Sequence, residues 1–167
     1  MASIEWSKVN QMNQEEFVRK VGWVFEHSPW VASAAWKNTP YESHETLLQA
    51  MIDIVQRAEE SKQLALLRAH PDLGTRLQMS QVSQKEQAGA GLDKLSKEEF
   101  EEFVSLNQSY VNKFNFPFIM AVKGQSKETI LAAMKQRIHN SYEEEYNIAL
   151  REVYKIAEFR LNDIFIG

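Results

Sequence analysis

Four histidines, His27, His44, His70 and His139, are the side chains of this 167-residue sequence best suited to moving a proton near neutral pH. None belongs to a Glu-x-x-His or His-Glu-x-x-His pattern, so the ligand sets of helical dinuclear carboxylate sites and of zinc proteases are missing, and no metal site is expected. The absence of cysteine excludes thiolate catalysis, Cys-ligated metals and a disulfide framework. His27 and His44 adjoin helix ends, where capping or exposure accounts for them. His139 shares a face with Glu143 only if Asn140–Ser141 does not interrupt the helix. His70 stands apart. It closes an apolar helical segment and precedes Pro71, which restricts its backbone at the mouth of a loop. Proton transfer and simple helix termination, favourable for His near a C-terminus, both fit.

Two further groups could serve such chemistry. Ser83-x-x-Glu86-Gln87 reads as a capping box, with Ser83 as the N-cap, or as a polar-ligand site that gathers hydroxyl, carboxylate, amide and backbone N–H groups at a helix start. Arg160 falls among Tyr146, Ala149, Leu150, Val153, Ile156, Ala157, Leu161 and Ile164, which recur at spacings of three and four, so its guanidinium is aimed inward. It snorkels to the rim, meets a structural carboxylate, or grips a substrate carboxylate or ureido group. Arg137 lies in a similar stripe, and with Asn140 and several glutamates nearby it is expected to form a structural pair.

The elements that position these groups are helices. Six glycines and four prolines are about half of average usage, and Glu, Gln, Lys, Ala and Leu dominate, so the fold class is all-α. Asn13-x-x-Glu16 opens a helix over about 13–26. Pro29 permits a short one through Trp36, Ser43 starts a longer one, and 64–69 adds a turn or two ending at Pro71. Ser96-x-x-Glu99 and Ser126 start two more, and the last runs from about Glu143 to Phe165. The expectation is one domain, a helical bundle of about seven to nine helices. Two stretches break the rhythm: Pro71–Gly91, a long and therefore functionally suggestive loop, and the apolar Phe114–Gly124, which fits extended backbone packed under the helices.

A net charge of −4 has the wrong sign for a protein that neutralises phosphates, so nucleic acid is not expected as a partner. No run approaches the ~20 apolar residues that span a bilayer, and the N-terminal stretch has no signal-peptide core. A cytoplasmic protein without a membrane partner is the simplest expectation.

Taken together, His70-Pro71-Asp72-Leu73-Gly74, Ser83-x-x-Glu86-Gln87 with Ala90-Gly91-Leu92, Leu106-Asn107-x-x-Tyr110, Phe114-Asn115-Phe116-Pro117-Phe118-Ile119 and Arg160-Leu161 resemble the 2-oxo-4-hydroxy-4-carboxy-5-ureidoimidazoline (OHCU) decarboxylases of urate degradation. Five separated motifs in order cover nearly the whole chain. The resemblance implies a single OHCU decarboxylase-like domain over residues 1–167 that forms (S)-allantoin without a cofactor. It makes His70 the catalytic acid, Glu86 its carboxylate partner and Arg160 a third catalytic group. Substrate would be bound by Pro71, by Ser83, Gln84, Lys85, Glu86 and Gln87, by the backbone of Phe118, Ile119, Met120, Ala121 and Val122, and by Arg160. A small-molecule substrate, a homodimer, and fusion to or work beside a urate oxidase and a hydroxyisourate hydrolase also follow from it. Asn115 stands where the family usually has glycine, and Asn is the other residue that tolerates left-handed dihedrals.

Two alternatives belong to other classes. One is a non-catalytic interaction module anchored by Trp23, Trp30 and Trp36. The other is a hydrolase in which His70 and Glu86 activate water.

Overall fold

Side-chain caps fix where the helices begin. The computed structural model describes residues 3–74 and 81–166, and among them nine α-helices, one 3-10 turn and one two-stranded ladder account for the regular structure. The Asn13 carboxamide accepts from Glu16 N–H at 2.9 Å, and Ser96 with Glu99 closes a reciprocal box at 3.1 and 2.9 Å. Ser43 with Thr46 and Ser126 with Thr129 form the same device with threonine as the returning partner. Each satisfies N–H groups that the helix itself leaves unpaired. The chain divides into two compact units: the described residues up to Ala69 together with those from Tyr154 on, and His70–Val153.

In the first unit, β1 (Ile4–Glu5) pairs in parallel with β2 (Phe165–Ile166), Ile4 opposite Phe165. This ladder and the four-residue helix α1 (Trp6–Val9) have no counterpart in the sequence reading. The Trp6 indole N–H donates to the Glu42 carbonyl at 3.0 Å, and the Asn10 amide exchanges two bonds with the backbone of Tyr41, at 2.8 and 2.9 Å. α2 (Gln14–Val21) stops short of the expected residue 26: Gly22–Val24 tightens into a 3-10 turn, and His27 adopts φ 47°. The chain reverses there to lay α3 (Trp30–Trp36) against α2, close enough that a Cβ on Gly22 would lie 3.6 Å from that of Ala32. α4 (His44–Arg57) and α5 (Glu60–Arg68) complete the unit with the end of the last helix. Its centre is Phe17, Val31, Leu47, Met51, Leu66 and Ala157, all essentially inaccessible.

The second unit holds α6 (Gln81–Gly89), α7 (Lys97–Phe114), α8 (Lys127–Arg137) and the first half of α9 (Tyr142–Ile164). α6 lies inside the stretch expected to be a loop, where a short helix was expected only from Ser83, and residues 75–80 of that stretch fall outside the described ones. α7 ends on Asn115, whose φ of 63° is the left-handed cap anticipated for a glycine substitute, and its N–H returns to the Val111 carbonyl at 2.8 Å. Beyond it, Phe116, Phe118, Ile119, Ala121 and Val122 run without regular structure yet are buried, as expected for apolar extended backbone. Phe116 and Phe118 meet the Tyr110 ring edge-on, with centroids 5.9 and 5.4 Å away. No described helix is long and apolar enough to cross a membrane.

Candidate active site

α5 ends at Arg68, and His70 follows its cap residue Ala69. The imidazole-bearing residue is buried at 8% exposure, and the turn that continues from it is held by three side chains. Gln87 Oε1 accepts from Gly74 N–H at 3.0 Å while its Nε2 donates to the Asp72 carbonyl at 3.3 Å. Asn107 Nδ2 donates to the Leu73 carbonyl at 2.8 Å. Phe103, one turn earlier on α7, packs so tightly that a Cβ on Gly74 would sit 2.8 Å from its ring, and Gly74 has φ 73°. Glycine is required there on both counts. Burial raises the Asp72 carboxyl above its ordinary range.

α6 gives the second group. Since Gln81 is already helical, Ser83 lies inside the helix and is not its N-cap, which removes the capping-box reading of Ser83 and Glu86. The run Ser83–Gln87 is divided by helical geometry: Ser83 and Gln87, four apart, are buried, Glu86 beside them is partly buried, and Gln84 and Lys85 face solvent. Ser83, Glu86 and Gln87 therefore share one face, and Gln87 ties that face to the turn after His70.

The segment Phe118–Val122 is pinned from beneath. Arg137 Nη1 donates to the Ile119 carbonyl at 2.7 Å, and its guanidinium lies 4.2 Å over the Phe118 ring. Arg137 Nε is 2.9 Å from Glu145 Oε1, which also accepts from the Tyr110 hydroxyl at 2.5 Å, while Asn140 reaches Glu145 Oε2 at 2.9 Å. This is the structural pair expected for Arg137. Burial first, then the Glu145 carboxylate, hold the Tyr110 hydroxyl far above the usual phenol range. Glu152 Oε1 accepts from Ala121 N–H at 3.1 Å, so the segment is anchored at two successive peptides; Met120 between them is partly exposed.

Arg160 belongs to the first unit and is buried as its spacing requires. Its Nη2 lies 2.8 Å from Glu26 Oε2, and its Nη1 donates to the Trp23 carbonyl at 3.1 Å. His27 is exposed beside Glu26, His44 opens α4 and stacks on Phe165 at 5.9 Å, and His139 is separated from Glu143 by the break between α8 and α9. Two of the three tryptophans proposed as anchors use their indole N–H internally, Trp23 to Lys20 and Trp36 to Met12, both at 2.9 Å. Among the described residues no three His, Asp or Glu side chains are grouped to hold a metal ion.

The model of one family, OHCU decarboxylase, matches residues 10–162. The chain belongs to the OHCU decarboxylase family. It is 49% identical to the 2-oxo-4-hydroxy-4-carboxy-5-ureidoimidazoline decarboxylase of Halalkalicoccus jeotgali, over 99% of this chain and 94% of that one. A uric acid degradation bifunctional protein of a Bacillus species (strain TB-90) is 44% identical over 95% of this chain, which spans only 32% of that protein. Among solved structures, an (S)-allantoin synthase is similar with a TM-score of 0.80 and 32% identity, covering 97% of this chain and 54% of the other. As an OHCU decarboxylase family member the chain is a carboxy-lyase, which sets aside the hydrolase and interaction-module readings.

Several residues that hold the candidate site residues of this OHCU decarboxylase family member in place were not singled out for this from sequence. Glu26 gave no periodic signal, because it follows a 3-10 turn. Asn107 did give one: with Phe103, Tyr110 and Phe114 it recurs at steps of four, three and four, a polar residue in a buried stripe, as do Glu145 and Glu152 flanking Ala149 on α9.

Proposed function

We propose that this chain, acting as one domain, decarboxylates 2-oxo-4-hydroxy-4-carboxy-5-ureidoimidazoline to (S)-allantoin, with His70 as the proton-transfer residue. The observation that carries the reading is the buried His70 at the head of a turn whose backbone is tied by Gln87 to the face of α6 bearing Ser83 and Glu86. In the substrate, the carbon that loses carbon dioxide carries a hydroxyl and adjoins a C=N bond. Cleavage of the C–C bond leaves an electron pair that spreads onto that nitrogen, so the substrate supplies its own electron sink. That nitrogen takes up a proton from solvent. A new C–H bond then forms at the ureido-bearing carbon while the hydroxyl loses its proton and becomes the carbonyl of allantoin. One imidazole can take the hydroxyl proton and return one to carbon.

Glu86 either orients His70 or crowds the departing carboxylate. The α6 residues from Ser83 to Gln87, Pro71 and the backbone from Phe118 to Val122 bind substrate, and their fixed hydrogen bonds supply the preorganisation that electrostatic catalysis needs. Arg160, whose planar fork is oriented by Glu26, holds a substrate oxygen. The cytoplasm, a homodimer, and work beside urate-oxidising and hydroxyisourate-hydrolysing enzymes complete the proposal.

The uncatalysed reaction yields racemic allantoin, so chirality is the informative observable. Circular dichroism of product formed from freshly generated substrate is expected to show one enantiomer, with carbon dioxide released faster than background. Racemic product at the background rate would overturn the proposal.

A further inference from the structure

We propose that Gln87 and Asn107 are positioning residues, a pair of buried side-chain amides that hold the turn Asp72–Gly74 and, through Pro71, the backbone bearing His70. The inference rests on the decarboxylase reading for its catalytic half and on geometry alone for the clamp itself.

Consecutive peptide groups of the turn are met by side chains from two helices. Gln87 on α6 uses both ends of its amide, accepting from Gly74 N–H at 3.0 Å and donating to the Asp72 carbonyl at 3.3 Å. Asn107 on α7 donates to the Leu73 carbonyl between them at 2.8 Å. Both amides are nearly inaccessible, 6% and 2% exposed, so water competes little for these bonds. Phe103, one helical turn before Asn107, closes the side of the turn on which Gly74 lacks a Cβ. Asn107 also keeps a buried Oδ1 with no hydrogen-bond partner among the described residues. An unpaired buried acceptor costs stability, so an apolar side chain would serve α7 better as packing alone. What the amide provides is the N–H that fixes Leu73.

The fixed turn has one rigid lead back to the imidazole. Pro71 has its φ locked by its ring and restricts the residue before it, so a shift at Asp72 is carried to His70 with little room to be absorbed. Displacing a catalytic group by about 1 Å costs roughly 10²-fold in rate. Asn107, which lies outside the proposed substrate-binding set, accordingly acts on turnover only through the turn, and Gln87 does so in addition to its place on the substrate-binding face of α6.

The test uses the full chain with three variants. Gln87→Met fills the same space without either hydrogen bond, Gln87→Glu keeps an acceptor for Gly74 N–H but loses the donor, and Asn107→Leu removes the bond to Leu73. Exchange of the Gly74 amide, read by NMR, is expected to be about tenfold faster in Gln87→Met, the effect of losing one hydrogen bond. Turnover per folded molecule is expected to fall about 10²-fold in Gln87→Met and in Asn107→Leu, with KM changed by less than about threefold in Asn107→Leu, and Gln87→Glu to lie between wild type and Gln87→Met. The double variant should lose less than the product of the single losses, since both amides act on one turn. If Asn107→Leu does not fold, Asn107→Ala, which removes the same bond to Leu73, takes its place. Unchanged Gly74 exchange in Gln87→Met overturns the clamp. A raised KM with intact kcat in Asn107→Leu overturns the positioning role. A wild-type chain that gives only racemic product, with Gly74 exchange still responding to Gln87→Met, overturns the decarboxylase reading and the catalytic half while the clamp stands.

Discussion

Arg160 and Glu26, 134 positions apart in sequence, meet through Nη2 and Oε2 at 2.8 Å with side chains only 4% and 3% exposed. A buried pair with so little water is unforgiving of losing one member. Arg160→Met leaves the Glu26 charge uncompensated and is expected to lower stability by about 3–5 kcal/mol, measured by thermal melting. Arg160→Lys keeps the charge but not the fork, so it should melt closer to wild type while losing affinity and enantiomeric excess. A Lys variant with wild-type affinity and enantiomeric excess would remove Arg160 from substrate binding.

For His70 the expectation concerns rate. His70→Ala should lower turnover by about 10²- to 10⁴-fold, the usual contribution of a general acid–base group, without a change in far-ultraviolet circular dichroism. A folded variant that turns over at the wild-type rate would take His70 out of the reaction.

Tyr110 donates to the buried Glu145 carboxylate, and Tyr110→Phe should cost roughly 1.5–3 kcal/mol at neutral pH, read from urea unfolding. The pH dependence has a definite sign. The phenol ionises above 10.0 in the unfolded chain but not in the folded one, so ionisation favours the unfolded state and the wild type loses stability as pH rises past that value. The Phe variant lacks this loss, and the gap between the two should narrow above pH 10. A gap that widens instead would contradict the buried, protonated phenol.

Asp72 titrates with the same logic at the acid end. Burial raises its folded-state carboxyl above 3.8, so between 3.8 and the folded value the native state holds more protons than the unfolded chain. Stability contributed by this group is therefore lost as pH rises through that window and stays lost at neutral pH. Asp72→Asn should melt higher than wild type at pH 7, and the advantage should vanish below pH 3.8. Equal melting temperatures at pH 7 would show that the carboxylate is compensated.

The helices were legible because their signals are local: caps at Asn13, Ser43, Ser96 and Ser126 and apolar spacing between them. Asn115 was legible for the same reason, since a left-handed position limits the choice of residue. The start of α6 was misplaced because Ser83-x-x-Glu86 satisfies the capping pattern although Gln81 is already helical. The inward aim of Arg160 could be read from period alone, but its partner could not, because a contact across 134 residues leaves no trace in spacing. The ladder of β1 and β2 is two residues long on each side, too short for any alternation to show.

That ladder has a topological consequence. Because Ile4 is paired with Phe165, the backbone at the end of α9 runs within about 5 Å of Ile4, the spacing of neighbouring strands. The chain between those two residues is closed by backbone hydrogen bonds, so a spectroscopic label at Ile4 reports on the end of α9 as directly as on the start of α1.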